Sequence, residues 1–114
     1  MRKAFHVMVT LAALGAASLV IHADAGQRSR AAEIQLQLGR QLFEEGLYRD
    51  ALTAFQQAAA SVLTIDSRAA RAGAVRAALR LAEYDEARRE AQALLEAAPE
   101  DPEAIALNAD ALWA

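Results

Sequence analysis

The chain has 114 residues, of which 55% are hydrophobic and none is cysteine, and its formal net charge is −3. A chain of this length suits a single small domain. Without cysteine it cannot form a disulfide, so its stability has to come from packing.

Residues 1–25 have the order of parts that is typical of an export signal. Arg2 and Lys3 precede an apolar stretch from Val7 to Ile21, and Ala23-Asp24-Ala25 fits the small-x-small cleavage pattern. We expect cleavage after Ala25, export and a periplasmic location. Two alternatives stay open. The first is an uncleaved membrane anchor, although the apolar stretch is shorter than the ~20 residues that span a bilayer. The second is a buried N-terminal helix.

Cleavage leaves residues 26–114 without histidine, cysteine or lysine, and with a net charge of −4, because residues 1–25 carry +1. Zinc sites and most transition-metal sites are built from histidine and cysteine, and Ser-His and Cys-His nucleophiles need a histidine. No basic cluster is interleaved with aromatic residues, as a nucleic-acid surface requires. We therefore predict no enzymatic activity, no cofactor, no metal and no nucleic-acid partner.

The first two predicted helices form a hairpin. Residues 26–114 are rich in the residues that lose least on entering a helix. The first helix covers about 29–45 and places Ile34, Leu38 and Leu42 on one face. Gly46 supplies the left-handed turn that commonly ends a helix. The second helix covers about 48–62.

Three further helices follow. The third begins near Asp66 or Ser67, either of which can cap a helix, and runs to about residue 82. The fourth covers about 85–97 and is stopped by Pro99. The fifth opens at Asp101-Pro102-Glu103, where an N-cap acid, a proline at the first helical position and a first-turn acid stand in the favoured order.

Two stretches repeat one pattern of small and aromatic residues. The pattern resembles the tetratricopeptide repeat, whose signature is W-x2-L-G-x2-Y, then A-x3-F, then P. The resemblance implies an all-α, right-handed solenoid of helical hairpins, with repeat 1 at about 32–65, repeat 2 at about 67–100 and a partial unit at 101–114. An alanine-rich helical bundle is the alternative. The pattern residues are Leu38, Gly39, Gly46, Tyr48, Ala51, Phe55 and Ala58 in the first stretch, and Tyr84, Ala87, Ala91 and Pro99 in the second.

The spacing of the two stretches is 36 residues, measured from Tyr48 to Tyr84, instead of the usual 34. We expect the two extra residues in the link around residues 63–65. The pattern further predicts that Gly39 and Ala51 lie where two helices approach closely, and that Tyr48 and Phe55 fill the space between units.

The resemblance implies a protein-protein interaction module whose first helices line a groove for a partner segment. The lysines and asparagines that hold a C-terminal carboxylate in some members are missing here, so that clamp is not expected. The alternative function is a membrane-tethered structural accessory of an envelope assembly. The groove positions are Glu33, Leu36, Gln37, Arg40, Phe43 and Glu44 in the first unit, and Ala69, Ala72, Gly73, Arg76, Leu79 and Arg80 in the second.

The final residues are apolar, although a terminal repeat normally has a polar cap. Two interpretations stay open for Leu112 and Trp113. Either the chain is a fragment of a longer repeat protein, or these side chains bury against a second copy through the C-terminal helix.

Overall fold

The computed structural model describes residues 24–61 and 65–114, and within them every regular element is helical. Helix α1 covers residues 24–44, α2 Tyr48–Ser61, α3 Ile65–Arg80, α4 Tyr84–Ala97 and α5 Pro102–Trp113. The described part of the chain is therefore all-α, as predicted. Most of the predicted export signal, and residues 62–64 of the link between α2 and α3, lie outside the described residues.

A Schellman motif at Gly46 terminates helix α1. The Gly46 N–H donates to the Phe43 carbonyl at 3.1 Å, and the Leu47 N–H donates to the Leu42 carbonyl at 2.9 Å. Gly46 has φ +80°, a conformation that glycine adopts without a steric penalty. The turn predicted at Gly46 is confirmed.

Helix α3 ends in the same motif without a glycine. The Ala82 N–H donates to the Leu79 carbonyl at 3.1 Å, and the Glu83 N–H donates to the Ala78 carbonyl at 3.0 Å. Ala82 has φ 57°, and an L-residue pays roughly 1–2 kcal/mol for this left-handed conformation. The prediction that α3 continues to about residue 82 is therefore slightly too long, because the helix ends at Arg80.

The predicted start of α1 at about residue 29 is wrong, because the helix already includes residue 24. The remaining helix ends agree with the predicted bounds to within one or two residues. Helix α3 begins at Ile65, so Asp66 and Ser67 lie in its first turn and not at its cap. Helix α4 ends at Ala97, two residues before Pro99. At α5 the predicted cap is confirmed, because the Asp101 carboxylate accepts a hydrogen bond from the Glu103 N–H at 3.2 Å.

One hydrophobic core joins all five helices, and alanine is its main component. Alanine side chains project little, so the helices can approach closely. Helix α3 lies at the centre and packs against α2, α4 and α5. Its buried residues surround the helix instead of forming a stripe, as expected of a helix that is enclosed by neighbours. They are Ala70, Ala72, Gly73, Ala74, Val75, Ala77 and Ala78.

The ring of Phe55 fills the space between α1 and α3. A Cβ atom added to Gly39 of α1 would come within 2.7 Å of this ring, and one added to Gly73 of α3 would come within 2.6 Å. Such distances are too short for a real contact, so both helices approach the ring only because these positions are glycine. The placement of Phe55 between the first hairpin and the next unit is confirmed.

Of the three residues predicted to share one apolar face of α1, only Leu42 packs against the core. Ile34 is 65% exposed and Leu38 is 42% exposed, while Leu42 is half-buried. Gly39 has to face α2 to admit the Phe55 ring, and the helical period then turns residues three or four positions apart toward the same side. The side of α1 that meets the core consists of Ala32, Leu36, Gly39 and the half-buried Leu42 and Phe43.

A polar network links α2, α3 and α4 at the edge of this core. The side-chain amide of Gln56 in α2 donates to the carboxylates of Glu86 at 2.7 Å and Glu90 at 3.4 Å, both in α4. The Glu90 carboxylate also lies 3.5 Å from the guanidinium of Arg71 in α3. Gln56 therefore contacts α4 and is not a free outward side chain.

A second link joins α2 to the start of α4, where Arg49 forms an ion pair with Glu83, the N-cap residue of α4. The hydrogen bond with Glu83, and then the charge of Glu83, raise the pKa of Arg49. Because the pair is exposed to solvent, it contributes little to stability.

Candidate functional site

An open pocket of about 260 Å³ lies between α1, α3 and α5. No residue of α4 lines it, and α2 contributes only the Phe55 ring. We call this pocket, with its rim, the groove. Its lining residues are Arg40, Phe43 and Glu44 of α1, Phe55 of α2, Ala69, Ala72, Gly73 and Arg76 of α3, and Glu103 of α5.

Small residues form most of the α3 side of the groove. Ala72 and Gly73 are buried and Ala69 is half-buried, so Arg76 is the one long side chain that α3 contributes to the lining. The Phe55 ring lies beneath Gly73 and is 3% exposed. Apolar pockets with a few polar groups at the rim are the usual form of a binding site. This floor can accommodate an apolar side chain.

The rim of the groove carries four charged side chains, two of which form an ion pair with each other. Arg76 of α3 forms an ion pair with Glu103 of α5, which closes one end of the groove. At the other end stand Arg40 and Glu44, one helical turn apart on α1. Neither forms an ion pair or hydrogen bond through its side chain with the residues that the structure describes. Both remain available to a ligand.

An aromatic cluster stands where α1 turns into α2. The rings of Phe43 and Tyr48 meet edge to face with their centroids 5.1 Å apart. The guanidinium of Arg80 lies 5.7 Å from the centroid of the Tyr48 ring, within the range of a cation–π interaction. Tyr48 thus connects the first hairpin with α3, as the sequence predicts, and Arg80 is already engaged by the protein itself.

The structure brings only some of the predicted groove residues together. Arg40, Phe43, Glu44 and Arg76 line the groove, with Ala69, Ala72 and Gly73. The prediction for Leu36 is wrong, because its side chain is 6% exposed and belongs to the core. Leu79 packs against the core. Glu33 and Gln37 lie beside a second depression, lined by α1 alone.

Glu103 also lines the groove, which the sequence does not predict. The sequence assigns it to the first turn of α5, where an acid favours the helix N-terminus. Its second contact, with Arg76, depends on how α5 crosses α3, and no local pattern encodes that crossing. Phe55 was assigned correctly to packing, but its ring also forms the floor of the groove.

Comparisons of the chain with models of protein families, with curated proteins and with solved structures found no match. Within residues 24–61 and 65–114, no helix is long and apolar enough to span a membrane. The same residues contain no group of acidic or histidine side chains arranged to hold a metal ion.

Proposed function

We propose that the chain is a tetratricopeptide-type interaction module that holds a segment of a partner protein in the groove. The observation that carries the proposal is the groove itself: small residues and an aromatic floor, with Arg40 and Glu44 unpaired at its rim. A polypeptide segment fits these features, because it can present an apolar side chain to the floor and charged side chains to the rim.

Contacts between alternate helices support the repeat arrangement. Gln56 connects α2 with α4, Arg49 connects α2 with the N-cap residue of α4, and Arg76 connects α3 with α5. Links from each helix to the second one along the chain are typical of stacked hairpins, in which first helices form one layer and second helices the other. The groove then belongs to the layer of first helices, which is the partner-binding side in the family that the sequence resembles.

The rim charges indicate the chemistry of the partner segment. Arg40 suits an acidic side chain or a carbonyl-rich turn, and Glu44 suits a basic one. The ion pair of Arg76 with Glu103 is already satisfied within the chain, so this end of the groove attracts neither charge strongly. We therefore propose a segment with one or two apolar residues flanked by opposite charges.

Selection from a random peptide library displayed on phage tests the groove. The purified chain should enrich peptides that combine an apolar core with an acidic residue. The exchange Arg40→Glu with Glu44→Arg keeps the net charge and should invert the preferred charges or abolish enrichment. The matched control combines Gln92→Glu with Glu96→Gln on α4, where these two side chains form a hydrogen bond with each other.

The control should select the same peptides as the unmodified chain. If the α1 exchange leaves the selected peptides unchanged, or if the α4 exchange changes them, the groove is not the binding site.

Export to the periplasm is part of the proposal and rests on the pattern in residues 1–25. Mass spectrometry of the chain produced in an exporting bacterium tests it. A mature N-terminus at Gly26 supports export with cleavage after Ala25, whereas an intact Met1 excludes cleavage and fits both the membrane anchor and the buried N-terminal helix.

A further inference from the structure

Arg40 and Arg76 occupy equivalent positions in the two hairpins but have different surroundings. Positions 40 and 76 are separated by 36 residues, as Tyr48 and Tyr84 are in the repeated pattern. Each arginine lies in the C-terminal part of the first helix of its hairpin, α1 or α3, and lines the groove. Arg76 forms an ion pair with Glu103, whereas Arg40 forms none with the described residues.

The difference comes from the residue that the next helix contributes to the groove. At the junction of α3 with α5, Glu103 in the first turn of α5 lines the groove with Arg76. At the junction of α1 with α3, the lining residue nearest the start of α3 is Ala69, which has no charged group. One junction therefore supplies a carboxylate to its arginine, and the other does not.

Glu103 cancels a positive charge that the groove would otherwise have. The lining contains two arginines and two glutamates, so their formal charges sum to zero, and without the Glu103 carboxylate they would sum to +1. The Arg76 and Glu103 side chains are 45% and 50% exposed, and an ion pair this accessible to water contributes little to stability. The pair therefore matters more for the charge of the groove than for the fold.

We propose that Glu103 determines how many acidic side chains the groove recognises. Its carboxylate occupies Arg76 as an acidic side chain of a partner would, because a guanidinium binds any carboxylate in the same way. A partner acid at Arg76 has to displace Glu103, which has a high effective concentration because it belongs to the same chain. An acid at Arg40 meets no such competitor. The groove then selects a segment with one acidic residue, bound at Arg40, and not a segment with two.

This inference rests on the proposed function, because it needs a segment bound in the groove. The two can fail separately. The exchange of Arg40 with Glu44 decides whether the groove binds the selected peptides, and substitutions at positions 69 and 103 decide whether Glu103 limits the number of acidic residues in them.

Selection of the same phage-displayed peptide library on four chains tests the inference. The unmodified chain should enrich peptides with one acidic residue beside the apolar core. Glu103→Gln removes the charge but keeps the shape of the side chain, and it should enrich peptides with two acidic residues. Ala69→Glu supplies a carboxylate to Arg40 and should remove the acidic preference. A chain that carries both substitutions should return to one acidic residue.

A binding measurement gives the size of the effect. A synthetic peptide with two acidic residues, taken from the Glu103→Gln selection, should bind that variant about tenfold more tightly than it binds the unmodified chain, as expected for one added charged hydrogen-bonded contact. The difference should shrink as the NaCl concentration rises, because salt screens the added charge contact.

Glu100→Gln is the matched control. It makes the same change in net charge at an exposed position in the turn before α5, outside the groove lining. It should select the same peptides as the unmodified chain. Thermal melts followed by circular dichroism show whether each variant keeps its fold.

Four results would overturn the inference. Peptides with two acidic residues selected by the unmodified chain would show that Glu103 does not compete for Arg76. Unchanged peptides from a folded Glu103→Gln chain would show that Arg76 takes no part in recognition. The same change in selection from Glu100→Gln would assign the effect to net charge. A large fall in the melting temperature of Glu103→Gln would show that the pair holds α5 in place.

Discussion

The two hairpins of this chain have turns of the same geometry but different residues at equivalent core positions. The first, α1 with α2, turns at Gly46 and packs the large Phe55 ring against Gly39. The second, α3 with α4, turns at Ala82, and the positions 36 residues after Gly39 and Phe55 are Val75 and Ala91, both fully buried. In the first hairpin the larger side chain, Phe55, belongs to the second helix. In the second hairpin the larger side chain, Val75, belongs to the first helix.

Both pairs of positions are buried although their residue types differ, so the core does not require one residue type at each position. Cores tolerate redistribution of volume when the total and the pattern are kept. The exchange also explains why the second unit resembles the repeat signature less than the first, although its turn has the same hydrogen bonds.

The largest effect is expected for Phe55→Ala. The ring is buried between two glycines, which cannot fill the space it leaves, so the substitution should lower the free energy of unfolding by about 3–5 kcal/mol. Thr53→Ala, on an exposed position of the same helix, is the control and should change it by less than about 0.5 kcal/mol. Denaturant unfolding followed by circular dichroism measures both. Equal losses would show that the Phe55 ring does not hold the hairpins together.

Gly39→Val tests the exchange of volume directly. Alone it should cost about 1–3 kcal/mol, because its side chain meets the Phe55 ring. Combined with Phe55→Ala it recreates the residue pair of the second hairpin, and the double variant should be more stable than the sum of the single losses predicts, by at least about 1 kcal/mol. Simple additivity in this double-mutant cycle would mean that the two hairpins are not equivalent.

Substitutions at the two turns should have the smallest effects on the free energy of unfolding, and the two effects should have opposite signs. Gly46→Ala should lower stability by about 1 kcal/mol, whereas Ala82→Gly should raise it by about 0.5–1 kcal/mol, because it removes the cost of a left-handed alanine. For a domain of this size each kcal/mol shifts the melting temperature by about 4–8 °C. Two shifts of the same sign would show that Ala82 is not strained.

Local features of the fold could be predicted from the sequence, because local chemistry determines them. The turn at Gly46 requires a left-handed residue, and Asp101-Pro102-Glu103 contains every element of a helix start. Phe55 was placed correctly because the repeat pattern contains both an aromatic residue and the small residues around it.

The face of α1 could not be predicted in the same way. Leu36 and Leu38 are the same residue type and have nearly the same spacing from neighbouring apolar residues. Only the approach of Gly39 to Phe55 decides which of the two is buried. The contacts of two arginines could not be predicted either. Arg76 pairs with Glu103, and Arg80 lies over the Tyr48 ring; both contacts depend on how separate helices cross.

Site-specific photo-crosslinking in cells that produce the chain tests the central claim most directly. A photoreactive amino acid replaces Glu44 at the groove rim or Gln92 on α4, which contributes no residue to the groove. The account predicts that the probe at position 44 crosslinks a discrete foreign protein through one short segment, identified by mass spectrometry, and that the probe at position 92 does not. A foreign protein crosslinked from position 92, with none from position 44, would contradict the account.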